Sequence, residues 1–223
     1  MRIAFLPFLA VLALPASAQL DSAFTLSGYA ETYYSYELSN PGDHVRQGPV
    51  YSFNRHNEVN LNLGMIKLAY AKNNVRGNLA LMAGTYPQYN LAAEPELLRS
   101  VYEANVGVRL SKTRELWLDA GIMPSHIGFE SAIGADCWNV TRSILAENSP
   151  YYESGARLSY TSPNARWYAA GMLLNGGQRM ARPDGNNTPA FGTQLTLKPS
   201  DKVTLIRSIF VGHDQLDSVS QMR

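Results

Sequence analysis

Alternation of apolar and polar residues is the clearest pattern along the chain. In residues 102–111, apolar side chains including Tyr102 occupy every second position, and polar side chains or glycine lie between them. The same alternation recurs in residues 115–122 and 153–160. Because successive side chains of a β-strand point to opposite faces of its sheet, each segment predicts a strand with one apolar and one polar face.

Weaker alternation predicts further strands and brings the expected number to nine. These segments are residues 24–36, 59–71, 75–83, 165–174, 191–197 and 203–211. Within residues 59–71 the large apolar residues change from odd-numbered to even-numbered positions between Met65 and Ile66. This shift predicts either a β-bulge or a segment that is covered on both faces.

Short and long connections alternate between the predicted strands. The short ones are residues 72–74, 111–115, 161–164 and 198–201, and the long ones are residues 39–57, 86–100, 124–152 and 175–189. An antiparallel up-and-down transmembrane β-barrel has this arrangement, since its periplasmic turns are short and its external loops long. The alternative is a secreted or surface β-sandwich that serves as a binding module, because its strands alternate as well.

The first residues have the features of an export signal. A positive start at Met1 and Arg2 is followed by the apolar residues 3–14 and by small residues before Gln19. We expect a signal peptide over residues 1–18, cleaved after Ala18, and one barrel domain over residues 19–223. This organisation places the protein in the outer membrane of a Gram-negative bacterium, in contact with outer-membrane lipid.

Composition narrows the function further. The chain has 13 Tyr and 3 Trp, and the grouping of Tyr29, Tyr33 and Tyr34 near a strand end predicts aromatic girdles at the membrane surfaces. With 19 Lys and Arg against 18 Asp and Glu, the chain has almost no net charge, so its overall electrostatic field does not favour nucleic acid as a partner. The single cysteine, Cys137, excludes an intramolecular disulfide.

The polar faces of the clearest strands supply the candidate lining of a channel. The expected function is transport by passive diffusion of small hydrophilic solutes, without catalysis and without a cofactor or metal, and with homo-oligomerisation left open. Mixed charges in this lining predict little ion preference. The expected lumen-lining residues are Glu103, Asn105, Arg109, Glu115, Asp119, Glu153 and Arg157.

The longest connection, residues 124–152, carries most of the remaining candidate chemistry. Its charged residues together with its glycines predict a compact loop that folds into the lumen and narrows it. The alternative is an external loop that faces solvent. The candidate constriction residues are His126, Glu130, Asp136, Arg142 and Glu147.

An outer-membrane barrel enzyme, such as a lipase or a protease, is the less favoured alternative. Ser125 and His126 are adjacent, and adjacent residues of an extended segment point to different sides, which disfavours a nucleophile–base pair. His126 and Glu130 would share a metal only on a helix and with further ligands, and no other His or Cys lies close enough in sequence to complete the site.

Residues 116–160 resemble a known family. The motif Gly-Ile-Met-Pro-Ser-His-Ile-Gly-Phe-Glu-Ser at 121–131, with Trp-Asn at 138–139, Thr-Arg-Ser at 141–143 and Glu-Asn-Ser-Pro-Tyr-Tyr-Glu-Ser-Gly at 147–155, resembles the OmpL-like outer-membrane β-barrel porins. The resemblance implies a barrel that acts as a diffusion channel without cofactor or catalytic residues. Members of that family are longer, and with the odd strand number and the polar residues 218–223 this predicts the amino-terminal part of a longer barrel.

Overall fold

The computed structural model of the protein describes residues 10–21, 23–46 and 51–212. Ten β-strands form one sheet, and each strand pairs antiparallel with its neighbour in sequence. The predicted all-β, up-and-down architecture is confirmed, whereas the two packed sheets of a β-sandwich are not formed by the described residues. The strands are β1 (Ala10–Asp21), β2 (Phe24–Tyr34), β3 (Val59–Lys72), β4 (Val75–Ala83), β5 (Val101–Arg109), β6 (Glu115–Pro124), β7 (Tyr152–Thr161), β8 (Trp167–Leu174), β9 (Ala190–Ser200) and β10 (Val203–Val211).

The nine predicted strands correspond to β2–β10, and β1 is additional. It includes residues 10–18 of the predicted signal peptide and pairs with β2 from Ala10 opposite Tyr34 to Asp21 opposite Phe24. Residues 1–9 and the polar residues 218–223 lie outside the described part of the chain, and cleavage after Ala18 stays a prediction. Within residues 10–212, β1 and β10 each pair along one edge only, so this part of the sheet is not closed.

All long connections between strands lie at one end of the sheet, the loop end. We name them L1 (35–58), L2 (84–100), L3 (125–151) and L4 (175–189), and the opposite end is the turn end. L2 contains α1 (Thr85–Asn90) and a 3-10 helix, Glu96–Ser100. L3 contains a 3-10 helix, Gly134–Asp136, and α2 (Ile144–Glu147). None of the helices in the described ranges is long and apolar enough to cross a membrane.

The two faces of the sheet differ as the alternation predicts. The outer face presents apolar side chains, and Val106, Val108, Leu118 and Leu158 are all exposed on it. The inner face carries the polar side chains that alternate with them, including the buried Asp119. Since the contrast persists across β5, β6 and β7, these strands have one apolar surface and one polar surface.

The hydrophobic core lies on the inner face at the loop end. Side chains of β2, β3 and β4 pack there against residues contributed by L2, L3 and L4 and by the start of β7. The loops therefore fold back over the sheet. The buried members of the core are Tyr29, Leu63, Met65, Ala80, Met82, Tyr86, Leu91, Ala132, Tyr152 and Met180.

Of the two alternatives predicted at Met65 and Ile66, the bulge is wrong, because β3 and β4 pair without a shift from Gly64 to Lys72. The irregularity lies at Asn62, where the pairing of β2 with β3 shifts between Glu31 and Thr32. Met65 faces the loop-covered core and Ile66 faces outward. The alternation changes here because the inner face and the outer face of the sheet both carry apolar side chains at this point of β3.

Some aromatic residues predicted to form girdles lie inside instead. Tyr29 and Tyr33 are buried on the inner face beneath the loops. Tyr102, predicted to share the apolar face of β5, packs against the core, because the pairing of β4 with β5 shifts beside it. Phe24 and Tyr70 do lie on the outer face near the turn end, with ring centroids 4.9 Å apart.

Candidate functional site

A carboxylate held between two arginines lies at the centre of the inner face. Asp119 on β6 accepts hydrogen bonds from Arg76 on β4, with Nε to Oδ1 at 2.7 Å and Nη2 to Oδ2 at 2.6 Å. Arg157 on β7 approaches the same carboxylate, with Nη2 to Oδ2 at 3.3 Å. The Asp119 side chain is 1% exposed. Its burial is tolerated because two cations and directed hydrogen bonds replace its hydration.

The backbone of β5 makes room for this cluster. Gly107 pairs with Arg76 on one side and with Asp119 on the other. A Cβ atom at position 107 would clash with the Asp119 carboxylate and would lie 3.1 Å from Arg76 Cγ. The Arg76 guanidinium also stacks over the Trp117 ring, with 4.3 Å from Cζ to the ring centroid. Arg76 is therefore held on two sides.

Further ion pairs extend the polar surface along the strands. Lys67 Nζ lies 2.6 Å from Glu103 Oε2. Asn105 donates to Glu103 Oε1 at 2.9 Å, which occupies the second carboxylate oxygen. At the turn end, Arg109 Nη1 lies 2.7 Å from Glu115 Oε1. Most of the predicted lumen-lining residues are thus joined in ion pairs or hydrogen bonds on the inner face.

One end of L3 is fixed to β7 and β10. His126 Nδ1 lies 2.8 Å from Glu153 Oε1, and its Nε2 donates to the Ile209 carbonyl oxygen at 3.0 Å. The Ser208 hydroxyl donates to the His126 carbonyl oxygen at 2.5 Å. The imidazole lies close to β9 at Gly192, where a Cβ atom would be 2.7 Å from His126 Cε1. His126 is buried and held by contacts at both ring nitrogens and at its carbonyl.

The middle of L3 reaches β2. The Ala135 backbone amide donates to the Tyr29 hydroxyl at 3.2 Å, and that hydroxyl donates to Glu31. Asn62 Nδ2 donates to the other carboxylate oxygen of Glu31 at 2.6 Å. Gly134 lies so close that a Cβ atom there would clash with the Glu31 carboxylate. L3 therefore contacts the inner face both at β10 and at β2.

Contacts within L3 involve most of the predicted constriction residues. Arg142 is buried, donates to the Ala132 carbonyl oxygen at 2.5 Å and lies over the Phe53 ring of L1. Glu130 Oε2 accepts from the Ser143 backbone amide at 3.0 Å. Glu147 Oε2 accepts from the L1 backbone at 2.7 Å. With His126 these residues fold and dock the loop, whereas Asp136 is exposed in the 3-10 helix.

Sequence analysis missed a carboxylate that joins L2 to L4. Glu94 is buried and accepts from the Tyr152 hydroxyl at 3.0 Å, from the Met180 amide at 3.0 Å and from the Ala181 amide at 3.2 Å. Gln178 of L4 adds a second link to L2, since its Nε2 donates to the Asn90 carbonyl oxygen at 3.2 Å. No periodic pattern marks these residues, because they act in irregular loops that are distant in sequence.

Burial and hydrogen bonding shift the pKa values of several L3 groups. Burial lowers the pKa of His126, but the facing Glu153 outweighs it, so the pKa lies above its usual value. For Glu130, burial raises the pKa, and hydrogen bonds from Ser143 and Asn139 outweigh this and bring the pKa below its usual value. Burial raises the pKa of the Cys137 thiol, which lowers its reactivity as a nucleophile.

The candidate enzyme pairs are not formed. Ser125 Oγ accepts from the Ile127 amide at 3.0 Å, and His126 contacts Glu153 instead of Ser125. His126 and Glu130 bind different partners. In the described part of the chain, no group of three or more His, Cys, Asp or Glu residues could hold a metal ion.

The loops leave a wide depression open to solvent at the loop end. Its volume is about 880 Å³, and residues of L1, L2, L3 and L4 line it, among them Tyr51, Tyr89, Glu147 and Gln178. The inner face is thus bounded by loops at one end and by the exposed pair of Arg109 and Glu115 at the other.

Residues 23–223 match a protein family described as "Putative beta-barrel porin-2, OmpL-like". No curated protein and no solved structure matches the chain. The family match covers β2–β10 and all four loops, and it agrees with an antiparallel up-and-down sheet that has an apolar outer face. It supports a porin-type channel of the outer membrane. The chain therefore belongs to the OmpL-like β-barrel porin family.

Proposed function

We propose that the protein forms a passive diffusion channel for small hydrophilic solutes and that L3 is its constriction. The observation that carries the proposal is the course of L3, which contacts the inner face at β10 through His126 and at β2 through Ala135. A loop held at two strands that lie far apart in the sheet would narrow the space over the inner face between them. Solutes would pass L3 and continue along the ion pairs at the turn end.

In this proposal the inner face lines the channel and the outer face contacts lipid. A charge facing hydrocarbon at mid-depth costs about 2–4 kcal/mol, which agrees with the exposed apolar residues Val106, Leu118 and Leu158 opposite Asp119 and Arg157. The proposed lining is Glu103, Asn105, Arg109, Glu115, Asp119, Glu153 and Arg157.

The proposed route to the membrane is export from the cytoplasm of a Gram-negative bacterium with removal of residues 1–18. Diffusion through such a channel requires no catalytic group, cofactor or nucleic acid. The apolar outer face supplies the surface for outer-membrane lipid.

Single-channel recording in a planar bilayer tests the channel and its constriction. We expect the protein to give discrete conductance steps, and shortening L3 between Gly128 and Arg142 to increase their size, because the loop obstructs the path. The variant Lys112→Ala, in the exposed turn between β5 and β6, serves as the control with unchanged conductance. Unchanged conductance after the L3 deletion would place the loop outside the path, and a lack of steps would contradict the channel.

Cysteine labelling tests which face lines the channel. In a Cys137→Ser background, a water-soluble thiol reagent should modify Arg109→Cys and not Val106→Cys, because position 109 shares the inner face with Asp119 and position 106 is exposed on the outer face. The reverse labelling pattern would mean that the assigned register is wrong by one residue.

A further inference from the structure

Acidic and basic side chains of the inner face lie at different depths. The carboxylates of Glu31, Glu103, Asp119 and Glu153 are buried. Their basic neighbours are more exposed, since the side chains of Arg76, Lys67 and Arg157 are 34%, 28% and 23% exposed. At the turn end this order is reversed, since the Glu115 side chain is 49% and the Arg109 side chain 27% exposed. Between the loops and that pair, a solute that moves along this face would therefore meet mainly the basic groups.

We propose that Lys67, Arg76 and Arg157, which we name the basic track, make the channel selective for anions and that Arg76 and Arg157 form its anion-binding site. The inference rests on the proposed function, since it assigns a solute class to the same lining. It also replaces the expectation of little ion preference. That expectation came from the presence of both acidic and basic residues in the predicted lining, and it took no account of their depth.

The charge balance of the site favours an anion. Asp119 contributes one negative charge, and Arg76 and Arg157 contribute one positive charge each, so the cluster has a net charge of +1 (2 − 1). Because the negative charge is buried beneath the two guanidinium groups, the excess positive charge lies on the solvent side. Fixed charge on a confined surface attracts counter-ions and raises their local concentration.

The hydrogen bonds of the two arginines leave capacity for a ligand. Both bind Asp119 through Nε and Nη2, so these contacts do not use either Nη1 group. The contacts of Arg157 with Asp119, at 3.4 Å and 3.3 Å, are long for charged partners. Arg157 therefore loses little when it turns towards an anion, and a carboxylate or phosphate matches the planar guanidinium fork.

The strand register brings the two arginines into one row. Arg76 pairs with Gly107, Gly107 with Asp119, and Asp119 with Arg157, on four adjacent strands. Gly107 and Asp119 thus lie between the arginines without a long side chain that would project above the guanidinium groups. An anion of the size of inorganic phosphate would fit over this row with an arginine on either side.

Reversal potentials in a KCl gradient test the selectivity. The wild-type channel should pass chloride in preference to potassium, and Arg157→Gln should lose most of this preference, because it removes the excess charge while Arg76 still neutralises Asp119. Lys112→Gln is the control: it removes the same charge from the exposed turn between β5 and β6, away from the row of Arg76, Asp119 and Arg157. Its reversal potential should equal that of the wild type.

Inorganic phosphate tests the binding site separately from the overall charge. Millimolar phosphate should reduce the chloride current of the wild type and should have less effect on Arg157→Lys, which keeps the charge and lacks the fork. Should Arg157→Gln fail to fold, the comparison of the wild type with Arg157→Lys still tests the binding site, because it changes the guanidinium fork and not the charge. Conducting channels with no ion preference, or with preference for potassium, would overturn the anion proposal and leave the channel function intact, whereas a lack of conductance would overturn both.

Discussion

The inner face of the sheet has two halves that differ in what covers them. At the loop end, Tyr29, Leu63 and Met65 are sealed under side chains from the loops. In the half nearer the turn end, Asp119 is bound by Arg76 and Arg157, whose side chains remain 34% and 23% exposed. The same strands pass through both halves. The loops, rather than the strands, therefore decide whether the inner face is a core or a polar surface.

The loop half therefore contributes mainly to the stability of the fold, and the turn half mainly to the passage of solutes. In the loop half, burial of apolar side chains stabilises the fold by about 1.5–3 kcal/mol for each large residue that leaves water. In the turn half, the exposed pair of Arg109 and Glu115 contributes little to stability, and the partly exposed arginines above Asp119 determine the charge that a solute meets. Substitutions in the two halves should therefore have different consequences.

The largest expected effect is on the covered half. Leu63→Ala should lower the free energy of unfolding by about 2–5 kcal/mol, because it leaves a cavity in a core that is closed on every side. The measurement is denaturant unfolding in detergent micelles. Ile66→Ala, three residues further along the same strand and exposed on the outer face, is the control with a smaller loss. Equal losses would contradict the distinction between core and outer face.

The next effect concerns the close packing of Gly107 against Asp119 and Arg76. Gly107→Ala should destabilise the protein by about 1–3 kcal/mol, because the new methyl group would displace the Asp119 carboxylate. Gly171→Ala is the matched control, since no heavy atom outside the neighbouring residues lies within 4 Å of a Cβ atom there. Denaturant unfolding of both variants checks the result, and a loss as large for Gly171→Ala would show that strand propensity, not crowding, is responsible.

The smallest effect is a pH dependence of the L3 attachment at β10. Because the pKa of His126 is raised above its usual 6.5, the His126–Glu153 contact contributes its full stability below that pH and loses it as the pH rises through the folded-state pKa. Unfolding free energy should therefore fall as the pH is raised from below 6.5 to above the folded-state pKa of His126.

The variant His126→Gln is the control for this pH dependence. It removes the titrating group and keeps a hydrogen-bonding side chain, so the fall over the same pH range should become smaller. If the variant and the wild type lose the same free energy, another group is responsible for the pH dependence.

Sequence alone predicted the strands and the faces of this fold well where alternation is strict. Val106 and Asp119 lie on the faces that the pattern assigns, because a strand has only two faces and one of them is apolar. It placed Tyr29 in an aromatic girdle, although this residue lies in the core. The pattern shows which side a residue faces and gives no indication of whether a distant loop covers that side.

The candidate site was predicted in part for the same reason. Asp119 and Arg157 were identified from alternation, whereas Arg76 and Lys67 lie on strands with weaker patterns and were missed. Glu94 was missed because its partners belong to other segments. The depth of a charge, which separates Asp119 from its arginines, depends on side-chain packing across four strands and has no counterpart in the linear pattern.

The directions of the strands restrict how many strands a closed barrel built on this sheet can have. Because every neighbouring pair is antiparallel, β2 and β10 run in the same direction. An antiparallel seam between them therefore needs an odd number of intervening strands. β1 runs opposite to both β2 and β10 and meets this condition while residues 1–18 are present, whereas their proposed removal would leave residues 19–21 of this strand. Strands of any origin in odd number would meet it equally. A barrel closed on this sheet by antiparallel pairing therefore has an even total, and each allowed total sets a different circumference for the same L3 to span.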